Sequence, residues 1–135
     1  MNTLIRIHNI NESVIERLVV EFNRSIPGFC KNTGKHLHEP DLYSFILSSE
    51  EEWDKHIQQV LEILSRLGDS LLRVKDAGAI LSINTCIHMY DFRSAFLVDF
   101  VFPTNLLQTI TTIGASLEMS MYIDNGRDNQ EDQDA

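Results

Sequence analysis

The chain has 135 residues, 43% of them hydrophobic and 23% charged, and carries a formal net charge of -9. That length suits one domain with its own core, and the composition excludes a fibrous repeat or a wholly disordered chain. The acidity argues against nucleic acid and for a basic protein partner, because a negative field repels phosphate and attracts cationic surfaces. It is concentrated in the second half, where residues 68–135 hold ten acidic and four basic side chains.

In chain order, the opening MNTLIRIHNI lacks the basic, apolar, small-residue sequence of a signal peptide, so a cytoplasmic location is expected. Within it, TLIRIH alternates with period two, placing Leu4, Arg6 and His8 on one face of a first strand and Ile5 and Ile7 on the other. Asn11, or Asn9 with Glu12, is positioned to cap a helix whose Val14, Ile15, Leu18, Val19 and Phe22 recur at helical spacing and which ends before Pro27-Gly28. The stretch PGFCKNTGKHLHEPD is rich in turn formers and has no sustained period.

LYSFIL reads as a second strand and SSEEEWDKHIQQVLEILSRLG as the main helix. Ser49 with Glu52 fits a capping box, Glu50, Glu51 and Glu52 complement the positive end of the helix dipole, and Gly68 is placed to stop the helix. Its apolar stripe runs Trp53, Ile57, Val60, Leu61, Leu64 and Leu67. DSLLRVKDAG then suggests a short extra helix. AILSINTCIHMY and SAFLVDFVF read as two strands joined as a hairpin around Asp91-Phe92-Arg93. The apolar run AFLVDFVF, interrupted by Asp99, falls far short of the roughly 20 residues of a membrane span. Thr104 is the expected cap of a helix carrying Leu106, Leu107, Ile110 and Ile113. Gly114 ends it, and ASLEMSMYI is the last strand.

From residue 43 the order strand, helix, strand, strand, helix, strand is the split βαβ arrangement of ferredoxin-like domains, preceded here by an extra strand and helix, so the fold class is α+β. Residues 1–124 form the expected domain. Residues 125–135, at the end of DNGRDNQEDQDA, form an acidic tail with no apolar anchor. Alternation places Ile83, Ile87, Met89, Phe96, Val98, Phe100, Leu117, Met119, Met121 and Ile123 toward the helices.

The run FVFPTNLLQTITTIGASLEMSMYID resembles the C-terminal signature of the bacterial domain-of-unknown-function family numbered 4279. In that family a strand leads through a polar residue into a leucine-containing helix and then into a strand ending in tyrosine. Thr104, Leu107, Ile110, Gly114-Ala115-Ser116-Leu117 and Tyr122 carry the resemblance. YSFILSSEEEW is similar to the family's strand-to-helix entry, with Phe45 where the family often has tryptophan. The resemblance spans roughly residues 43–124 and implies an α+β fold and a bacterial, cytoplasmic setting. It brings no catalytic residue.

Two regions could carry chemistry. His36, His38, Glu39 and Asp41 crowd one loop and have metal-ligand chemistry, but two histidines one residue apart do not define a zinc site, and a solvated loop is the simpler expectation. The second region is the sheet face away from the core, where alternation gathers Asn84, Cys86, His88 and Tyr90, then Asp99, then Glu118, Ser120 and Tyr122. Cys86 and His88 are not read as a nucleophile and base, since i, i+2 spacing merely puts both on one strand face. A disulfide between Cys30 and Cys86 is not expected in a reducing compartment.

No enzyme and no cofactor are expected. The leading expectation is a non-enzymatic protein-binding module, such as a bacterial immunity protein that neutralises a basic toxin domain. Its contact residues would be Asp99, Glu118, His88, Tyr90 and Tyr122 on the open sheet, with Glu50, Glu51 and Glu52 at the helix entry. The alternative is a regulatory domain that binds a small ligand or metal.

Overall fold

The alternation of the N-terminal segment is realised as strand β1 (Asn2–His8), whose Thr3, Ile5 and Ile7 are buried while the residues between them are half-buried. The computed structural model describes residues 1–32, 34–35, 42–89 and 100–123. After β1, the Asn11 side chain accepts from the Val14 amide at 3.0 Å and opens helix α1 (Glu12–Ser25). A short 3-10 turn (Phe29–Asn32) and a two-residue strand β2 (Gly34–Lys35) precede β3 (Tyr43–Ser48). Helix α2 (Trp53–Asp76), β4 (Ile80–Met89), α3 (Thr104–Thr112) and β5 (Ser116–Ile123) complete the order.

The strands form one mixed sheet in the order β2-β3-β1-β4-β5. Both β3 and β4 run antiparallel to β1, and β5 runs parallel to β4. Hence β3-α2-β4 is a split unit with β1 inserted between its two parallel strands, whereas β4 and β5 lie side by side. The N-terminal strand is therefore not an appendage. It occupies the middle of the sheet, where its Ile5 and Ile7 have no solvent exposure.

All three helices draw their buried side chains into one cluster with the same sheet face. Ile15, Leu18 and Phe22 of α1 join Val60, Leu64 and Leu67 of α2 and Leu106 and Ile110 of α3 around Ile5, Phe45 and Ile83. Phe22 meets Phe45 edge-on at 5.2 Å between ring centroids, and Phe29 packs against both rings. That aromatic knot fixes the end of α1 and the following 3-10 turn over β3.

Several local expectations are corrected. Gly68 does not stop the main helix; α2 runs through it for 24 residues. The apolar stripe continues in Leu67, Leu71 and Val74, all buried, and burying those side chains outweighs the roughly 1 kcal/mol that a helical glycine costs. The left-handed stop falls instead at Gly78, with φ of 106°. No Ser49-Glu52 capping box forms, because Glu52 is itself the N-cap residue. Pro103, not Thr104, is the N-cap of α3, its carbonyl accepting from Leu106 and Leu107. Gly114 does end α3, with φ of 68°.

The expected strand over SAFLVDFVF is partly outside the described residues, as are its hairpin turn at 91–93, the loop at 36–41 and residues 124–135. Its described end, residues 100–102, is not strand. Along Ser82–Cys86, both edges of β4 are already taken by β1 and β5, which leaves no hydrogen-bonding edge there for a hairpin partner. No helix among the described residues is long and apolar enough to cross a membrane.

Candidate functional site

Among the described residues every helix lies on one side of the sheet and none covers the other, where Ser44, Ser82 and Asn84 are nonetheless buried. In register, it presents three cross-strand rows: Ser44, Arg6 and Ser82; Ile46, Leu4, Asn84 and Glu118; and Asn2, Cys86 and Ser120. A further pair, His88 and Tyr122, lies at the carboxyl end of β4 and β5.

The polar side chains on this face hold one another. Asn84, almost fully buried, donates to Glu118 Oε2 at 3.3 Å and to Ser120 Oγ at 3.2 Å. Its own Oδ1 accepts from the Cys86 thiol at 2.9 Å. Arg6 Nη1 lies 3.9 Å from the same Glu118 oxygen. Glu118 is thus an oriented carboxylate, half-exposed, with a cation on one side. His88 and Tyr122 stack at 5.0 Å with their planes 17° apart, and both rings are exposed. The thiol hydrogen bond goes to an amide oxygen, a geometry that does not activate Cys86 as a nucleophile. No disulfide joins Cys86 to Cys30.

The other sequence-derived contact residues divide between near and undescribed. Glu50, Glu51 and Glu52 are exposed between β3 and α2, at the end of the sheet to which the carboxyl ends of β3, β4 and β5 all point. They share that end with His88 and Tyr122. Glu51 lies 3.3 Å from the Met1 ammonium and Glu52 3.1 Å from Lys55. Tyr90, Asp99, His36, His38, Glu39 and Asp41 lie outside the described residues. Among the described residues no group of three or more metal-ligating side chains comes together.

The same end of the molecule contains a polar cluster that sequence reading missed. His56, with no solvent exposure, sits on the core-facing stripe of α2. Its Nδ1 is 2.8 Å from the Glu50 carbonyl and its Nε2 is 2.6 Å from Thr3 Oγ1. A carbonyl can only accept, so Nδ1 carries the proton and Nε2 accepts from Thr3. Thr3 in turn accepts from Thr85 Oγ1 at 3.0 Å. Burial pulls the His56 pKa below its ordinary 6.5, although the Glu50 carbonyl opposes the shift.

Trp53 lies flat on the His56 ring, 5.8 Å away with planes 7° apart, and donates from Nε1 to the Val101 carbonyl at 2.9 Å. Phe100 and Phe102 meet its ring edge-on. It is therefore a partly buried clamp between α2 and residues 100–102, at the rim of the apolar stripe. The one signal for His56 was its place three residues after Trp53 and four before Val60 on an apolar stripe. Its partner Thr3, and the Thr85 that bonds Thr3, are distant in sequence and gave none. Comparison of the chain with protein-family models, with curated proteins and with solved structures returns no match.

Proposed function

We propose that this chain is a non-enzymatic binding module that takes a basic protein partner across the open sheet face and its carboxyl end, in the manner of a bacterial immunity protein neutralising a toxin domain. The observation that supports it is the one-sided packing: three helices share one face of the sheet, and the other carries an oriented carboxylate, Glu118, beside the exposed His88-Tyr122 pair. A fixed carboxylate loses little entropy on pairing, and exposed stacked rings suit a protein contact. Glu50, Glu51 and Glu52 extend the acidic surface around the same end, and the net charge of -9 would steer a cationic partner toward it. In this reading the split β3-α2-β4 unit is the ferredoxin-like half of the domain, and the setting is cytoplasmic.

The test is capture of a partner from cells, or from the product of the neighbouring gene, followed by association kinetics. Reversing Glu118, Glu50, Glu51 and Glu52 to Lys should slow association at low salt and raise dissociation where the acid is buried in the contact. An acidic partner, or binding indifferent to salt and to every reversal, would overturn the proposal. A second reading, a small polar ligand on the same face, is favoured by Arg6 Nε and Ser82 Oγ, which are buried and make no hydrogen bond among the described residues. A ligand that protects Ser82 and Arg6, with the acid reversals silent, would select it.

A further inference from the structure

We infer that the chain forms a two-fold homodimer through the outer edge of β5, which would join two sheets into one. The edge adjoins the partner face above and shares Glu118 and Tyr122 with it, but the inference does not depend on that reading.

The first observation is the edge itself. β5 ends the sheet order, and among the described residues its outer edge has no partner strand. Eight residues long, Ser116–Ile123 contains no proline, lysine or arginine, the residues that natural proteins place to block pairing at an edge. An unblocked strand of this length is a template for β-augmentation.

The second observation is the distribution of charge. Residues 100–123 contain a single charged side chain, Glu118, whereas α1 alone carries five. Two copies at -9 each repel one another over most of their surface, so self-association must use the region where charge is absent. That region is also apolar on its exposed side. Val101, Leu107, Met119 and Met121 are all exposed, and the two methionines, at 45% and 50%, lie on the helix-facing side of β5. Away from Glu118, a foreign basic partner would gain nothing electrostatically there, while a second copy loses least.

The third observation is self-complementarity of register. A two-fold axis perpendicular to the sheet pairs the strands antiparallel, keeps all helices on one side, and requires paired residues to share a face. Centred on Ser120, it sets Met119 against the second copy's Met121 on the helix side. On the open side it sets Glu118 against the second copy's Tyr122, whose hydroxyl can donate to that carboxylate. Centred on Glu118, it would oppose two carboxylates directly, which is unfavourable.

Sedimentation equilibrium over a wide concentration range tests this with the full chain. The native protein should approach twice the monomer mass with increasing concentration, and Met119→Lys with Met121→Lys should return it to the monomer while far-UV circular dichroism stays native. Should the lysine variants fail to fold, Ser120→Cys in a Cys30→Ser, Cys86→Ser background decides: oxidation should link two copies, because centred residues lie within disulfide reach. A native chain that stays monomeric throughout overturns the dimer. So does a dimer that ignores the lysines, or one in which Ser120→Cys never cross-links. A monomer whose β5 amides are protected from exchange only by a basic protein would assign the edge to that protein and overturn self-pairing.

Discussion

The two sides of β1 obey one alternation rule and end in different states. Toward β3, the side chains that alternate inward, Ile5, Ile7, Phe45 and Leu47, are sealed beneath α1 and α2. Toward β5 the same alternation sends Met119 and Met121 to the helix side, yet both remain exposed, because α3 is only nine residues long and packs over the start of the strand, near Leu117. Alternation fixes which face a side chain takes. Whether anything covers that face depends on the length and placement of the helix above it.

The contrast is sharpest in truncation energetics. Phe22→Ala removes a ring with no solvent exposure from the aromatic knot with Phe29 and Phe45, and should cost about 3–5 kcal/mol in denaturant melts. Met121→Ala, of ordinary core chemistry but half-exposed, should cost less than about 1 kcal/mol in the monomer. Equal losses at the two sites would mean that β5 is covered as thoroughly as β3.

Trp53→Ala should fall between these limits, at about 2–3 kcal/mol, because the ring is partly buried but also supplies a hydrogen bond to Val101. As the single tryptophan, Trp53 gives a second readout: its fluorescence in the native protein reports contact with Phe100, Phe102 and His56. A loss below about 1 kcal/mol would show that residues 100–102 do not need the clamp to stay on α2.

These cases also show what could be read from the residues alone. The period of two in TLIRIH and the period of 3.6 through α1 and α2 are local properties, and both produced the correct buried faces. Strand neighbours are not local. Nothing in TLIRIH says that it will sit between β3 and β4, because that order depends on which crossover lets α2 bury its stripe. The open face was legible as a set of residues, since Asn84, Cys86, Glu118 and Ser120 alternate together. The hydrogen bonds that orient Glu118 were not, since they depend on the parallel register of β4 and β5. His56 was hidden for the same reason: its hydroxyl partner Thr3 lies on β1, 53 residues before it, and is itself bonded by Thr85 of β4.

His56 extends the contrast to pH. It is the described histidine fully enclosed on the covered side of the sheet, whereas His88 is exposed on the open side. Because the folded-state pKa of His56 lies below the ordinary 6.5, the unfolded chain takes up the proton first as pH falls. The stability it contributes is complete above about pH 6.5 and declines below it until the lower folded-state value is passed, with a slope of up to about 1.4 kcal/mol per pH unit. His56→Gln should lower stability at neutral pH and remove that slope. Melts of the native chain and variant from about pH 7.5 to about pH 5 would check it. A slope unchanged by the substitution would place the titration elsewhere.

The smallest expected effect belongs to Gly68, and it bears on how the covered side is built. Read locally, this glycine ends the main helix, and alanine there would strain a left-handed stop. In the fold it lies within α2, between the buried Leu67 and Leu71, and its φ is not among the positive values found at Gly28, Gly78 and Gly114. A Cβ added at Gly68 meets nothing within 4 Å, since the position lines the open groove between α2 and α3. Alanine would then narrow the unfolded ensemble and favour the helix without a steric cost, so Gly68→Ala should stabilise the protein by about 0.5–1 kcal/mol. Gly114→Ala is the control, because its φ of 68° is strained for any L side chain and a Cβ would run into the end of the Lys75 side chain. It should destabilise by about 1 kcal/mol or more. If Gly68→Ala destabilises as Gly114→Ala does, α2 breaks at residue 68 and the continuous 24-residue helix is wrong. If it stabilises, the continuous stripe from Ile57 to Val74 is what overrode the local stop signal.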